Sequence, residues 1–191
     1  MDFDQALYKR MNNSIWHVKV PKKNRIEKIV QVLHDCSPSK QALVRYNLNV
    51  IRNDNVARKL KIYESTRSKT FEEASVARYN PQVLAPWLFI LYPRLENESE
   101  KPSMADTWMD LGIASATISY TASSLGLDSG LCRCITYPEH AIEVLGYRPT
   151  MMIGVGYKGD EDEYWCPLNM RMEPALYVNK KPDMEKYITY V

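Results

Sequence analysis

Glycine is scarce in this chain, with seven in 191 residues. None falls in a G-x-G-x-x-G or G-x-x-x-x-G-K-[ST] pattern, so the two commonest glycine-rich phosphate cradles are excluded. Any phosphate would have to be caught by Arg and Lys side chains. Histidine is rarer still, and His17, His34 and His140 stand in no Ser-His-Asp or Cys-His context that would support nucleophilic catalysis. Four cysteines, Cys36, Cys132, Cys134 and Cys166, make neither a disulfide framework nor the C-x-x-C spacing of a zinc site. They read as reduced thiols, with no metal expected. The chain lacks the roughly 20 consecutive apolar residues of a membrane span, and Met1 to Arg10 is polar, without a signal-peptide core. It also lacks an excess of either charge: 25 Lys+Arg against 23 Asp+Glu give a net of +2. That balance supplies no general pull toward nucleic acid or a membrane, and a cytoplasmic location is the default expectation.

A chain of 191 residues suits one domain with a sizeable core, taken here as 1–191. Glu96 to Ser103 and Lys158 to Glu163 read as surface excursions within it, and no internal repeat interrupts it. Asp2 to Asn12 carries Phe3, Ala6, Leu7 and Met11 at helical spacing, and Lys22 to Asp35 repeats the pattern with Ile26, Ile29, Val30 and Leu33. Tyr46 to Ile51 alternates as a strand, Asp54 to Glu64 reads as a helix, and Trp87 to Tyr92 is the continuous apolar run of a buried strand. Pro138 to Leu145 is a short helix, and Thr150 to Tyr157 another buried strand. The tail offers a strand at Leu176 to Asn179 and a helix from Asp183. These elements do not repeat as a regular βαβ series, so an α+β sandwich, a sheet flanked by helices, is expected.

The most distinctive stretch runs from Asp106 to Cys134. Between Trp108 and Leu127 apolar and small residues fall on nearly all sides of a 3.6-residue period, so this helix has no broad charged face and must be covered on most sides. Asp106 and Asp110 lie near its start, where the helix dipole favours anions, and Gly126 suits its left-handed stop. The following segment ends in Leu131-Cys132-Arg133-Cys134.

Read together, these segments resemble the FMN-dependent nitroreductase family, in which a buried central helix lies at a dimer interface and the segment after its Gly-Leu stop runs along the flavin ring. The resemblance implies a nitroreductase-like α+β sandwich with a mostly antiparallel central sheet. Lys9-Arg10-Met11-Asn12 stands where the family has a basic phosphate grip, usually Arg-Arg-Ser, so that Lys9, Arg10 and Asn12 become candidates, with Arg10 the best suited to a bidentate phosphate contact. Pro38-Ser39-Lys40-Gln41 resembles the family's Pro-Ser loop, which meets the flavin from the neighbouring subunit; two of the loop's usual polar residues are replaced here by Ala42 and Val44, and Lys40 and Gln41 stand in for them. Asn80, with Gln82 behind it, matches an Asn that hydrogen-bonds the ring, since an amide offers both donor and acceptor. Leu131, Cys132, Arg133 and Cys134 would lie by flavin N5, and Lys180 and Lys181 would complete the phosphate site. Taken bare, the same residues equally suit a solvated helix end, ordinary turns and a space-filling strand.

The family implies a homodimeric FMN flavoprotein that takes hydride from NADH or NADPH and reduces a nitroaromatic, quinone or similar small acceptor by a ping-pong route. The same fold also hosts reductive dehalogenation and flavin fragmentation, and a non-catalytic, partner-binding descendant is the remaining alternative. The wording of the Ser-Lys-Gln and Tyr-Asn-Pro-Gln segments is closer to nitroreductase-like proteins of some bacteriophages than to the enteric enzymes, which would place the protein in a host cytoplasm.

Overall fold

The computed structural model describes residues 4–6, 12–39, 42–67, 80–94 and 104–159. The expected tail elements, and most of the first helix, lie outside them. Helix α1 spans Lys23–Cys36, strand β1 Tyr46–Arg52, α2 Val56–Glu64, β2 Trp87–Pro93, α3 Met104–Ser124, β3 Asp128–Cys132, α4 Pro138–Leu145 and β4 Met151–Gly156. The strands form one antiparallel sheet in the order β1-β2-β4-β3, which leaves β1 and β3 at the edges.

Alternation along the two central strands divides the core into two layers. Trp87, Phe89, Leu91, Ile153 and Val155 face α1 and α3, whose Ile29, Leu33, Leu111, Ala114 and Ile118 complete that layer. Leu88, Ile90 and Met152 face the opposite way, onto Ile62 and Tyr63 of α2 and onto Val83 and Leu84 of a 3-10 turn at Pro81–Leu84. A sheet covered on both faces explains why β2 reads as an unbroken apolar run rather than an alternating one.

Helix α3 begins at Met104, a turn earlier than its apolar pattern predicts, and ends where expected. Gly126 adopts φ +71°, the Leu127 N–H reaches back to the Ala122 carbonyl at 2.9 Å and the Gly126 N–H to Ser123 at 2.9 Å, a Schellman stop. Within this chain the helix buries one side, including its Leu111, Ser115 and Ile118, while Met104, Trp108, Met109, Gly112 and Tyr120 form an exposed stripe along the other. Among the described residues no helix is long and apolar enough to cross a membrane.

Candidate functional site

Three segments remote in sequence meet on edge strand β3. Asn12 accepts the Leu131 N–H on Oδ1 at 2.6 Å, and the Asn13 N–H donates to the Ser129 carbonyl at 2.8 Å, so the chain after the first helix is stitched along the free edge. The third segment is the Pro81–Leu84 turn. Gly130 and Gly154 are direct cross-strand partners, and a Cβ on Gly130 would strike the Asn13 carbonyl and approach Gln82 Cγ to 2.9 Å, while one on Gly154 would strike the Gln82 carbonyl. This pair of glycines makes the flat place on the sheet where the turn can lie. Two buried polar atoms there, Gln82 Oε1 and Ser129 Oγ, have no hydrogen-bond partner among the described residues.

Asn80 and Ser39 each have partners within the chain. The Asn80 amide donates to the Thr66 carbonyl at 3.0 Å and its backbone N–H to Thr66 Oγ1 at 3.1 Å, so its donor holds the entry to the turn rather than projecting toward a ligand. Ser39 Oγ donates to Asp110 Oδ2 at 2.7 Å and accepts the Val44 N–H at 3.0 Å. The Arg45 N–H also reaches Asp110 Oδ2, at 3.1 Å, and the Arg45 guanidinium stands 3.9 Å from both the Asp106 and the Asp110 carboxylates. The Pro38 and Ser39 loop is thus rooted on α3, and not on the β3 cluster of its own chain. Ala42 (φ 56°) and Val44 (φ 45°) take left-handed conformations within it, each costing roughly 1–2 kcal/mol for a non-glycine residue. The Asp110 contacts hold that strained path in place.

At the end of β3, Cys132 is buried, and burial pushes its thiol up to about 12, with the Cys134 backbone hydrogen bond opposing and the Cys134 charge adding to it. Burial thus favours its protonated form at neutral pH, whereas Cys134 is exposed. The Arg133 guanidinium lies over the Trp108 ring, 4.3 Å from its centroid, which joins the end of β3 to the exposed stripe of α3. The structure thus brings Asn12 to Leu131 and the Gln82 turn to Gly130, with Cys132 buried next along the strand and Arg133 on the α3 side of it. Lys9, Arg10, Lys40, Gln41, Lys180 and Lys181 lie outside the described residues. Asp110 near the start of α3 does more than complement the helix dipole; the signal in the sequence is a carboxylate a turn inside a helix with no other charge beyond it.

No family model matches the sequence, and no curated protein matches it. Solved structures do match in shape. A nitroreductase family protein from Clostridium novyi NT superposes with a TM-score of 0.68 at 20% identity, covering 85% of this chain and 88% of its own. An FMN- and NADPH-dependent nitroreductase from Sphigopyxis sp. strain HMH gives a TM-score of 0.68 at 13% identity over 100% and 99%. An FMN-dependent nitroreductase from Clostridium difficile R20291 gives 0.61 at 20% identity over 88% and 94%. With its antiparallel sheet between two helical layers and its long central helix, the chain has the nitroreductase fold.

Proposed function

We propose that this protein is a flavin-dependent oxidoreductase that holds FMN at the β3 edge, accepts hydride from NADH or NADPH, and reduces a nitroaromatic, quinone or related small acceptor in ping-pong fashion. The observation that carries the reading is the meeting of Asn12–Asn13 and the Gln82 turn on β3 at Ser129–Leu131, in a fold that an FMN- and NADPH-dependent nitroreductase shares. The residues fit such a group. Gln82 brings an amide oxygen that lacks a donor among the described residues, which suits a ring N–H. When bound, FMN would supply hydride acceptance and delivery at N5, so no side-chain acid or base is required. Cys132, held protonated, does not compete as a nucleophile. Arg133 offers a fixed cation to an anionic acceptor or to the nicotinamide cofactor's phosphates. With no glycine-rich cradle, the FMN phosphate falls to Lys9, Arg10, Lys180 and Lys181.

The same reading makes the protein a homodimer packed along the exposed stripe of α3. Asp110 roots the Pro38–Arg45 loop on this helix, so a two-fold partner seated on the stripe would receive that loop across its own site. A single domain and a cytoplasmic setting complete the proposal.

One set of contacts favours the non-catalytic alternative. The Leu131 N–H, the Ser39 hydroxyl and one donor of the Asn80 amide, from segments expected to meet a flavin, already have protein partners. The visible spectrum of the purified protein, with and without added FMN and then under anaerobic NADPH or NADH, decides between the two. Flavin bands that bleach with a nicotinamide support the oxidoreductase, whereas a colourless protein that ignores FMN leaves the partner-binding descendant.

A further inference from the structure

We propose that the surface made by Val18–Val20 and the first turns of α1 docks on an anionic lipid bilayer. Charge is unevenly spread along the chain. Residues 17–28 hold five basic side chains, Lys19, Lys22, Lys23, Arg25 and Lys28, against the single acid Glu27. That is a net of +4 in a chain whose total is +2, so the rest is net negative, and the overall balance conceals a local attraction for anions. All five cations are exposed, and Glu27 pairs with Lys23 at 3.2 Å.

Local folding does not account for this placement. Lys22, the cap residue of α1, makes no side-chain capping bond, and the first turn holds no acid, although a helix start favours capping oxygens and anions and disfavours cations. The apolar side chains beside it also face outward. Val18 is 71% exposed and Val20 40%, on either side of Lys19. Their backbone is fixed at both ends. Buried Trp16 donates its Nε1–H to the Pro81 carbonyl at 3.0 Å, the His17 N–H reaches the Tyr157 carbonyl at 2.9 Å, and the Pro21 carbonyl accepts from Trp87 Nε1 at 3.0 Å. Lys19 and Arg25 both meet Tyr157, the first 5.0 Å from its ring centroid and the second 3.4 Å from its hydroxyl, which brings the extended segment and the helix to one surface. Aliphatic side chains held outward among cations suit a bilayer interface, where valine enters the acyl boundary and the ammonium groups meet anionic headgroups. A nucleic acid would use the cations and leave the valines in water.

The test is co-sedimentation of the intact protein with vesicles of phosphatidylcholine alone and of phosphatidylcholine with about one-third phosphatidylserine, at ~0.1 M salt. The anionic vesicles should hold half the protein at about millimolar lipid or less, and the neutral ones should bind at least ~10-fold more weakly. K22S/K23Q removes two cations, each worth roughly fivefold in affinity, and should lose at least ~10-fold. It also gives α1 the capping hydroxyl it lacks, so it should melt no lower than the parent. V18S leaves the charge unchanged and should weaken vesicle binding about threefold or more, because no aliphatic group then enters the acyl boundary at that position. FMN content should be the same in every variant, so failure of the flavin reading leaves this one standing. Equal sedimentation with the two vesicles, none with either up to about 10 mM lipid, undiminished binding by K22S/K23Q or V18S, or tighter binding to a single-stranded oligonucleotide than to the anionic vesicles would each overturn the proposal.

Discussion

Ser39 and Asp110, 71 residues apart, are joined by a 2.7 Å hydrogen bond from the serine hydroxyl to the buried carboxylate. Around it the acid gathers the Arg45 N–H and guanidinium, so one side chain of α3 fixes both ends of a loop whose middle is left-handed at Ala42 and Val44. Removing the acid takes the acceptor from the Arg45 N–H and the Ser39 hydroxyl in a half-buried place, while the Arg45 guanidinium keeps Asp106. Asp110→Ala should therefore cost ~2–4 kcal/mol in urea unfolding, because unpaired buried polar groups lose their full desolvation energy. Asn at the same position keeps one acceptor and should cost about half as much. Equal stability of all three proteins would show that the loop carries its own conformation.

The packing of the Pro81–Leu84 turn on the sheet gives a second expectation. A methyl group on Gly130 has nowhere to go, because the Asn13 carbonyl is backbone and cannot swing aside. Gly130→Ala should cost at least ~1–3 kcal/mol, as overpacking does, and should release the Asn12 contact to the Leu131 N–H. Amide exchange at Leu131 reads this directly: protection lost in the variant supports the arrangement, and unchanged protection counts against it.

Where the sequence was legible, it was through local pattern. The Pro138–Leu145 helix matches residue for residue, Gly126 takes the left-handed stop, and β2 is buried as its apolar run requires. Strand β1 runs one residue past Ile51 because Arg52 pairs with Trp87. What escaped was whatever depends on partners far along the chain. Ser39 and Asn80 look like ligand residues in isolation, and only Asp110 and Thr66 reveal that the Ser39 hydroxyl and one Asn80 donor also have partners within the chain. The sheet order β1-β2-β4-β3, the Gly130–Gly154 pairing and the meeting of Trp16 with Lys59 at one cavity are likewise products of register, which no window of sequence displays.

The exposed stripe of α3 yields a third expectation through Gly112. Among the described residues nothing beyond the helix's own backbone lies within 4 Å of where its Cβ would be, and glycine inside a helix costs ~0.5–1 kcal/mol relative to alanine. A single chain on its own would gain by the substitution. If a second copy packs on this stripe, as the proposed dimer requires, Gly112→Ala should weaken the dimer by about 10-fold or more, since a methyl group forces the helices apart. Sedimentation at graded concentrations measures the shift. A variant that is more stable and associates no differently would place the interface elsewhere.

The last expectation concerns alkaline pH and Cys132. Its thiol sits at about 12 in the fold against an ordinary value of 9.0, because burial penalises the thiolate. The neutral form is the one the native state prefers, so the contribution to stability is full below the unfolded value. It declines as pH rises from about 9 and is gone once pH passes about 12. Tyr46 and Tyr147 are also raised by burial and bend the same alkaline limb, so the cysteine's share has to be isolated by substitution. Cys132→Ala should lower stability at pH 7 through lost packing, yet show a shallower decline above about pH 9 than the parent. Thiol labelling checks the same arrangement independently. With iodoacetamide at neutral pH, exposed Cys134 and Cys36 should react quickly and Cys132 only as the protein unfolds. Modification of Cys132 in the native protein at a rate matching Cys134 would mean that the end of β3 opens readily, and the alkaline slope would then belong to the tyrosines.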